Sequence, residues 1–301
     1  MRRFFVFFVF LFLPLIAAAE EAPPYNRTFN VGTQGGTVTL QADRGSVTVV
    51  KGTSNNTLLL SVTRSAFGTN AAEVLAGSQI NATQSGSNVS VTGKTTVKPA
   101  LGTIFNVNFT ITVPPVYNVN LTTGSGSVTV SNVGGSAAIN RGGGSVQVTS
   151  VSGNVQISGS GGATSVSSVG GSLILSTKGG SLTANSIGGS VSGTSSGGSA
   201  TLNDVGPANL TNSGGSMTVT FVRQPATASS LANSGGSMTV AIANTLHFTL
   251  DAVNTGGGSV SSSVPVTGGT KTANSLTGNI NGGGPALTLR GSGGSITIKP
   301  R

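Results

Sequence analysis

Hydrophobic and polar residues alternate in short segments along most of the chain. Over residues 126–199 a glycine returns every nine residues and is followed in most units by serine. The first and third positions after this serine are mostly apolar, as in Val128 and Val130 or Leu173 and Leu175. The position between them is mostly polar. Alternation of period two predicts a strand with one buried face, so each nonapeptide is interpreted as a strand and a turn rather than as a flexible linker.

A second period, of 18 residues, is superimposed on the nine-residue period. Six positions after the serine, apolar and polar residues alternate from one nonapeptide to the next: Val133, Gly142, Val151, Ser160, Val169, Lys178 and Ile187. Two unlike nonapeptides therefore form one unit of about 18 residues, typical of stacked solenoid coils. The predicted fold is all-β, a β-solenoid or β-helix built from G-G-S nonapeptides and preceded by an irregular strand-rich section. Glycine is expected at corners with positive φ.

The chain divides into four predicted segments. They are a signal peptide over residues 1–19, a linker over 20–29, a strand-rich section over 30–115 and the solenoid repeat region over 116–301. Pro114 and Pro115 suggest the last boundary, because proline is confined to strand starts and edges. Residues 30–301 are expected to form one continuous domain.

The first residues have the pattern of an export signal. Arg2 and Arg3 precede an apolar run over residues 4–16, and three alanines follow it. The run is shorter than the ~20 residues of a membrane span, so a cleaved signal peptide is predicted, with an uncleaved anchor as the alternative. We therefore expect an exported protein in the periplasm, on the cell surface or outside the cell, without a stable membrane span after cleavage.

Two further local features are predicted outside the regular repeats. A single helical turn is expected around residues 71–75. The last GGSITI unit is followed by Lys299, Pro300 and Arg301, and this ending is expected to form a polar cap on the solenoid.

Composition narrows the class of partner. Only 7% of the residues are charged, 36% are hydrophobic and none is cysteine, so the chain has apolar residues to bury and no disulfides. The formal charge of +9 comes from scattered basic residues. A nucleic-acid binder usually clusters them on one face, so no nucleic-acid partner is predicted.

The chain contains few residues that could bind a metal ion or a cofactor. Calcium-binding nonapeptides need an aspartate in each turn, and the repeat has none there. After Glu21 the only acids are Asp43, Glu73, Asp204 and Asp251. No metal site and no cofactor are predicted.

Catalysis would require distant residues to meet. His247 is the only histidine, and Asp251 would lie about 13 Å away along one strand. A polysaccharide-active enzyme would need Asp204, Asp251, Arg223 and His247 to converge in one groove. We predict no enzyme and name no catalytic, cofactor-binding or metal-binding residue.

The outward position of the repeat is polar but irregular. Down the nonapeptides it contains Thr129, Ala138, Gln147, Gln156, Ser165, Ile174, Thr183, Ser192 and Thr201. An ordinary solvated face is favoured over a flat ice- or carbohydrate-binding face.

The order of several stretches resembles a known family. They are GSVTVVKG (45–52), FTITVPPVYNVNLTTGSGSVTVSNVGG (109–135), LDAVNTGGGSVSSSVPV (250–266) and GNINGGGPALTLRGSGGSITI (278–298). The chain is similar to the bacterial putative-adhesin domain family, whose members are exported β-helical domains of unknown function. The resemblance brings no catalytic or binding residues, and this chain has serine where members often carry aspartate after the repeat glycine.

These observations predict an exported cell-envelope or surface protein, an adhesin that binds a surface polymer or another cell without catalysis. Cell-surface polysaccharide or envelope components are the expected partners, and the oligomeric state stays open. The alternatives are a β-helical polysaccharide-active enzyme and a purely structural envelope scaffold.

Overall fold

A computed structural model describes residues 19–301, so the expected signal peptide lies outside the described residues except for Ala19. The described chain forms two 13-stranded sheets, called sheet A and sheet B, with one hydrophobic core between them. The prediction of an all-β solenoid is confirmed.

The strands alternate between the sheets along most of the chain. The first part contains β1 (Glu20–Asn30), β2 (Gly36–Ala42), β3 (Ser46–Lys51), β4 (Thr57–Phe67), helix α1 (Ala71–Ala76), β5 (Ser78–Ser85), β6 (Asn88–Thr95) and β7 (Ile104–Val113). The repeat region contains β8 (Tyr117–Thr123), β9 (Val128–Val133), β10 (Ala137–Arg141), β11 (Val146–Val151), β12 (Val155–Gly159), β13 (Thr164–Val169), β14 (Leu173–Thr177), β15 (Leu182–Ile187), β16 (Val191–Ser195), β17 (Ala200–Val205), β18 (Ala208–Asn212), β19 (Met217–Phe221), β20 (Ser229–Asn233) and β21 (Met238–Ile242). The last part contains β22 (Phe248–Asn254), β23 (Val260–Ser262), β24 (Ser275–Ile280), β25 (Ala286–Gly291) and β26 (Ile296–Pro300).

Each coil of the repeat region contributes one strand to each sheet. In sheet A, Val128 pairs in parallel with Val146, and Val146 pairs with Thr164. In sheet B, Ala137 pairs with Val155 and Val155 with Leu173. The apolar positions of both sheets point inward, so aliphatic side chains stack from coil to coil and exclude water from the core.

Glycine occupies both turns of a coil, and only one of the two turns also has positive φ. Before the sheet A strands, Gly126, Gly144, Gly162 and Gly180 have positive φ, as expected. At the other turn the reason is close approach: a Cβ on Gly171 would lie 2.4 Å from Oδ1 of Asn154. A third corner with positive φ is formed without glycine, by Asn132, Ser150, Ser168, Ser186 and Asp204, and the sequence did not indicate it.

The terminal coils are interleaved with the others. Strands β2 and β3 lie between β6 and β7 on one side and β8 and β9 on the other. At the opposite end, β25 and β26 lie between the β20–β21 coil and the β22–β23 coil. The GGSITI segment is therefore an internal coil and not the polar cap expected from the sequence, because β22, β23 and β24 extend beyond it.

Antiparallel strands cover the N-terminal end. Residues 20–29, expected to be a linker, form β1, which pairs with β4 because Tyr25 and Phe29 pack against the core. Helix α1 corresponds to the single helical turn predicted around residues 71–75, and its Val74 side chain is buried. Strand β4 pairs with β7 and β5 with β6, all antiparallel.

Candidate functional site

The outer face of sheet A carries a continuous row of hydroxyl-bearing side chains, called here the hydroxyl row. Each member except Ser261 lies between two buried residues of its strand, as Thr129 lies between Val128 and Val130. In spatial order the row contains Ser61, Thr110, Thr48, Thr129, Gln147, Ser165, Thr183, Thr201, Thr218, Thr239, Thr297 and Ser261. Gln147 is its one member without a hydroxyl group.

Strand geometry gives the row a regular spacing. Neighbouring strands lie about 4.7–4.9 Å apart, so twelve strands place these groups along roughly 50 Å. Threonine suits the exposed face of a strand because its branched side chain packs on the pleated surface. Each hydroxyl can donate and accept a hydrogen bond, and no member of the row is charged.

A second polar row runs beside the first over the middle strands, two residues further along each strand. It contains Ser131, Thr149, Ser167, Asn185, Asn203 and Thr220. Its members bond to one another between coils: Asn203 Nδ2 donates to Asn185 Oδ1 at 2.9 Å, and Thr220 Oγ1 donates to Asn203 Oδ1 at 3.2 Å. These bonds fix the positions of the Asn185, Asn203 and Thr220 side chains.

The outer face of sheet B is less uniform. The equivalent positions there contain Asn120, Ala138, Gln156, Ile174, Ser192, Asn209, Ser230, Thr288 and Asp251. Ile174 is 47% exposed. Successive nonapeptides alternate between the two sheets, so the irregular outward series of the sequence is a mixture of two faces. Comparing every second nonapeptide would have revealed the hydroxyl row.

Two open grooves lie on the face of sheet A, near its ends. One, of about 400 Å³, is lined by Thr218, Thr220, Lys299 and Arg301 among others. The second, of about 300 Å³, includes Thr110 of the hydroxyl row. Both are open to solvent along the face of sheet A.

The residues considered for catalysis form separate contacts. Arg223 Nε lies 2.9 Å from Asp204 Oδ1. Arg290 Nη2 lies 2.5 Å from Asp251 Oδ2, on the other sheet. Each acid is therefore held by its own arginine.

The histidine contacts neither carboxylate within these pairs. His247 Nδ1 contacts the backbone oxygen of Asn281, and the backbone N–H of His247 donates to Gln224 Oε1 at 2.8 Å. Over residues 19–301 no three His, Cys, Asp or Glu side chains gather to hold a metal ion. The structure does not bring Asp204, Asp251, Arg223 and His247 into one constellation.

Two buried polar side chains have a structural role. Arg141 is 2% exposed, and its guanidinium contacts the carbonyl oxygens of Gly144 and Gly161 and donates to Thr164 Oγ1 at 2.8 Å. Burial lowers the pKa of Arg141. Burial also raises the pKa of Tyr117, whose hydroxyl donates to the Ser87 carbonyl.

Comparison with known proteins identifies the family. Residues 19–299 match the family described as Toastrack DUF4097. The chain belongs to the Toastrack DUF4097 family. This match supports the resemblance to putative-adhesin domains of unknown function. No curated protein matches this Toastrack chain significantly.

Two solved structures are similar to this Toastrack chain. A putative adhesin from Bacteroides fragilis NCTC 9343 is 13% identical with a TM-score of 0.42, covering 93% of this chain and 97% of the adhesin. A putative cell adhesion protein from Clostridium sporogenes ATCC 15579 is 10% identical with a TM-score of 0.24, covering 93% of this chain and 100% of the other. In the described part of the Toastrack chain, no helix is long and apolar enough to cross a membrane.

Proposed function

We propose that this Toastrack protein is an exported surface protein that binds an extended polysaccharide along the outer face of sheet A, without catalysis. The hydroxyl row is the observation that carries this proposal. It offers uncharged donors and acceptors at a constant spacing, and these suit a ligand that is itself a repeating chain of hydroxyl groups.

The shape of the face favours a polymer over a small ligand. Small-molecule sites are usually concave and enclose most of the ligand, whereas the grooves on sheet A are open. One hydroxyl contributes little net affinity, because its hydrogen bond to the ligand replaces a hydrogen bond to water. A polymer that contacts many coils together can add these small contributions.

We propose no catalytic step, because Asp204 and Asp251 are not placed to act on one glycosidic bond. Glycoside hydrolysis usually requires two carboxyl groups that flank one bond. Asp204 and Asp251 lie on different sheets, and each is paired with its own arginine.

The test compares two sets of three substitutions, one set on each sheet. In the first set, Thr183→Val, Thr201→Val and Thr218→Val remove hydroxyls from the hydroxyl row and keep the branched shape. In the control set, Thr122→Val, Thr194→Val and Thr211→Val remove exposed hydroxyls from sheet B. A glycan array first identifies a polysaccharide that the full chain binds, and calorimetry then measures the affinity of each variant.

We expect the first set to weaken binding by about tenfold or more, since three lost hydrogen bonds of roughly 0.5–1.5 kcal/mol exceed the ~1.4 kcal/mol of a tenfold change. The control set should stay within about twofold of the unaltered chain. Equal effects of both sets would contradict the assignment to sheet A. Binding to no polysaccharide, with loss of envelope integrity on deletion, would favour the scaffold instead. Altered ice-crystal growth without polysaccharide binding would also contradict the proposal.

A further inference from the structure

A small polar pocket lies where the chain turns into β3, at one margin of the sheet A face. Its volume is about 210 Å³, and its lining includes Arg44, Ser46, Phe105, Asn106, Asn108 and Ser125. Asn108 and Ser46 are register partners, and each is two residues before a member of the hydroxyl row, Thr110 or Thr48. A chain that follows the hydroxyl row therefore reaches this pocket.

Arg44 brings an unneutralised cation to the pocket. The two salt bridges found within residues 19–301 involve Arg223 and Arg290, not Arg44. Its sequence neighbour Asp43 is bound elsewhere, since Asp43 Oδ2 accepts a hydrogen bond from the Thr95 backbone N–H at 2.7 Å. The charge of Arg44 is available to an anion.

The guanidinium of Arg44 also has an unused donor. Its Nε is shielded from solvent and has no hydrogen-bond partner within the described residues. Arg64 and Arg141 have buried, unpaired Nε atoms as well, but their terminal nitrogens donate to backbone carbonyls. Arg44 makes no such bond within residues 19–301. A ligand therefore meets the terminal Nη1 and Nη2 of Arg44, which have no hydrogen-bond partner within the described residues, and not the shielded Nε.

Phe105 orients this cation. The Arg44 guanidinium lies over the Phe105 ring, with its carbon 5.8 Å from the ring centroid. This cation–π contact restrains the guanidinium, whose terminal Nη1 and Nη2 can present two parallel N–H groups. This pair of N–H groups is complementary to the two oxygens of a carboxylate.

We propose that this pocket binds the carboxylate of an acidic sugar, so that the polymer of the proposed function is a uronic-acid polysaccharide. The inference rests on the proposed function and names its ligand class. Arg44 binds the carboxylate through its fork of N–H groups, and the amides of Asn106 and Asn108 lie beside it to bind sugar hydroxyls. One arginine balances the single charge of a carboxylate, and the basic excess of the chain attracts an acidic polymer: the formal charge of +9 stays at +7 when Arg2 and Arg3 of the predicted signal peptide are left out.

The test uses polygalacturonate, its neutral carboxyl-reduced form and the short acidic oligosaccharide trigalacturonate. Calorimetry on the full chain at physiological salt measures the affinity for each. Arg44→Gln removes the charge, Arg44→Lys keeps the charge without the fork, and Phe105→Leu removes the ring that orients the guanidinium. Lys271→Gln is the control, because it removes one exposed charge from a loop that does not line this pocket.

We expect Arg44→Gln to weaken polygalacturonate binding by about tenfold or more and to leave binding of the reduced polymer unchanged. Arg44→Lys and Phe105→Leu should lose part of the affinity, and Lys271→Gln should stay within about twofold. Thermal unfolding of each variant establishes that it is folded.

Three results would overturn the inference. They are equal binding of polygalacturonate and its reduced form, an unchanged affinity in Arg44→Gln, and equally tight binding of dextran sulfate, which would indicate unspecific attraction of anions. Binding of both polymers through the hydroxyl row, without dependence on Arg44, would leave the proposed function intact. Arg44-dependent binding of trigalacturonate without polymer binding would support the pocket and contradict the proposed polymer site.

Discussion

At the scale of single residues, a glycine of the repeat serves the contact between coils. Gly171 leaves space for Asn154, whose Oδ1 accepts a hydrogen bond from the Ser172 backbone N–H at 2.8 Å. Ser190 N–H makes the equivalent bond to Ser172 Oγ at 3.1 Å. The serine of the Gly-Gly-Ser step thus joins its coil to the next, and the glycine before it lets the coils approach.

Replacing this glycine should destabilise the protein. In Gly171→Ala the added Cβ would lie 2.4 Å from Asn154 Oδ1, which must move away from its bond to Ser172. We expect a loss of about 1–3 kcal/mol in the free energy of unfolding, measured in urea. Gly143→Ala is the matched control, because its Cβ meets nothing within 4 Å, and it should change stability by less than about 0.5 kcal/mol. Similar losses in both variants would contradict this account.

At the scale of the elements, Arg141 connects its strand with the turn of its own coil and with the turn of the next coil. It ends β10, and its partner in β12 is Gly159, where a Cβ would lie 2.7 Å from Arg141 Cγ. The side chain crosses this gap to the turn before β13. An arginine in one coil and a glycine in the next therefore form one packing unit.

Removing the guanidinium should cost more here than at the surface. Arg141→Met leaves the Gly144 and Gly161 carbonyls without their charged donor, and we expect a loss of roughly 2–3 kcal/mol in unfolding free energy. Arg290→Met breaks a half-exposed ion pair with Asp251 and should cost less than about 1 kcal/mol. Urea denaturation measures the unfolding free energy of both variants. An equal loss in the two would contradict a structural role for the buried Arg141 guanidinium.

The elements of the repeat were the part of the fold most open to prediction. Alternation identified Val128 and Val130 or Leu173 and Leu175 as inward residues, and all four are buried. Within the repeat, comparison of every second nonapeptide would have separated the two outer faces, but outside the regular repeat no period relates β3, β4 and β7 to the later strands. The hydroxyl row and the Arg44 pocket were therefore missed: Thr48, Thr110 and Thr129 become neighbours only through β3, β7 and β9.

At the scale of the whole molecule, both ends of the solenoid depend on interleaved coils. Strands β25 and β26 pair with β20 and β21 on one side and with β22 and β23 on the other. The last residues of the chain therefore hold an earlier segment, residues 243–285, against the rest of the molecule.

Deleting residues 286–301 should release that segment. Without the intervening coil, β22 and β23 lose their parallel partners, and we expect residues 243–285 to become the first site of limited proteolysis, located by mass spectrometry. Excess synthetic peptide of residues 286–301 should restore protection, and a scrambled peptide should not. If residues 243–285 resist proteolysis as well after the deletion as before it, the internal position of the β25–β26 coil is contradicted.

The sequence by itself determined the strands, their buried faces and the solenoid class, because alternation and the nine-residue period are local consequences of burying one face of a short strand. Only the tertiary structure decided which coils are neighbours. Parallel strands pair through backbone hydrogen bonds that all residues except proline can form, so the sequence carries no separate signal for inserting β25 and β26 between earlier coils. The same pairing assembled the hydroxyl row and brought Arg44 beside Phe105.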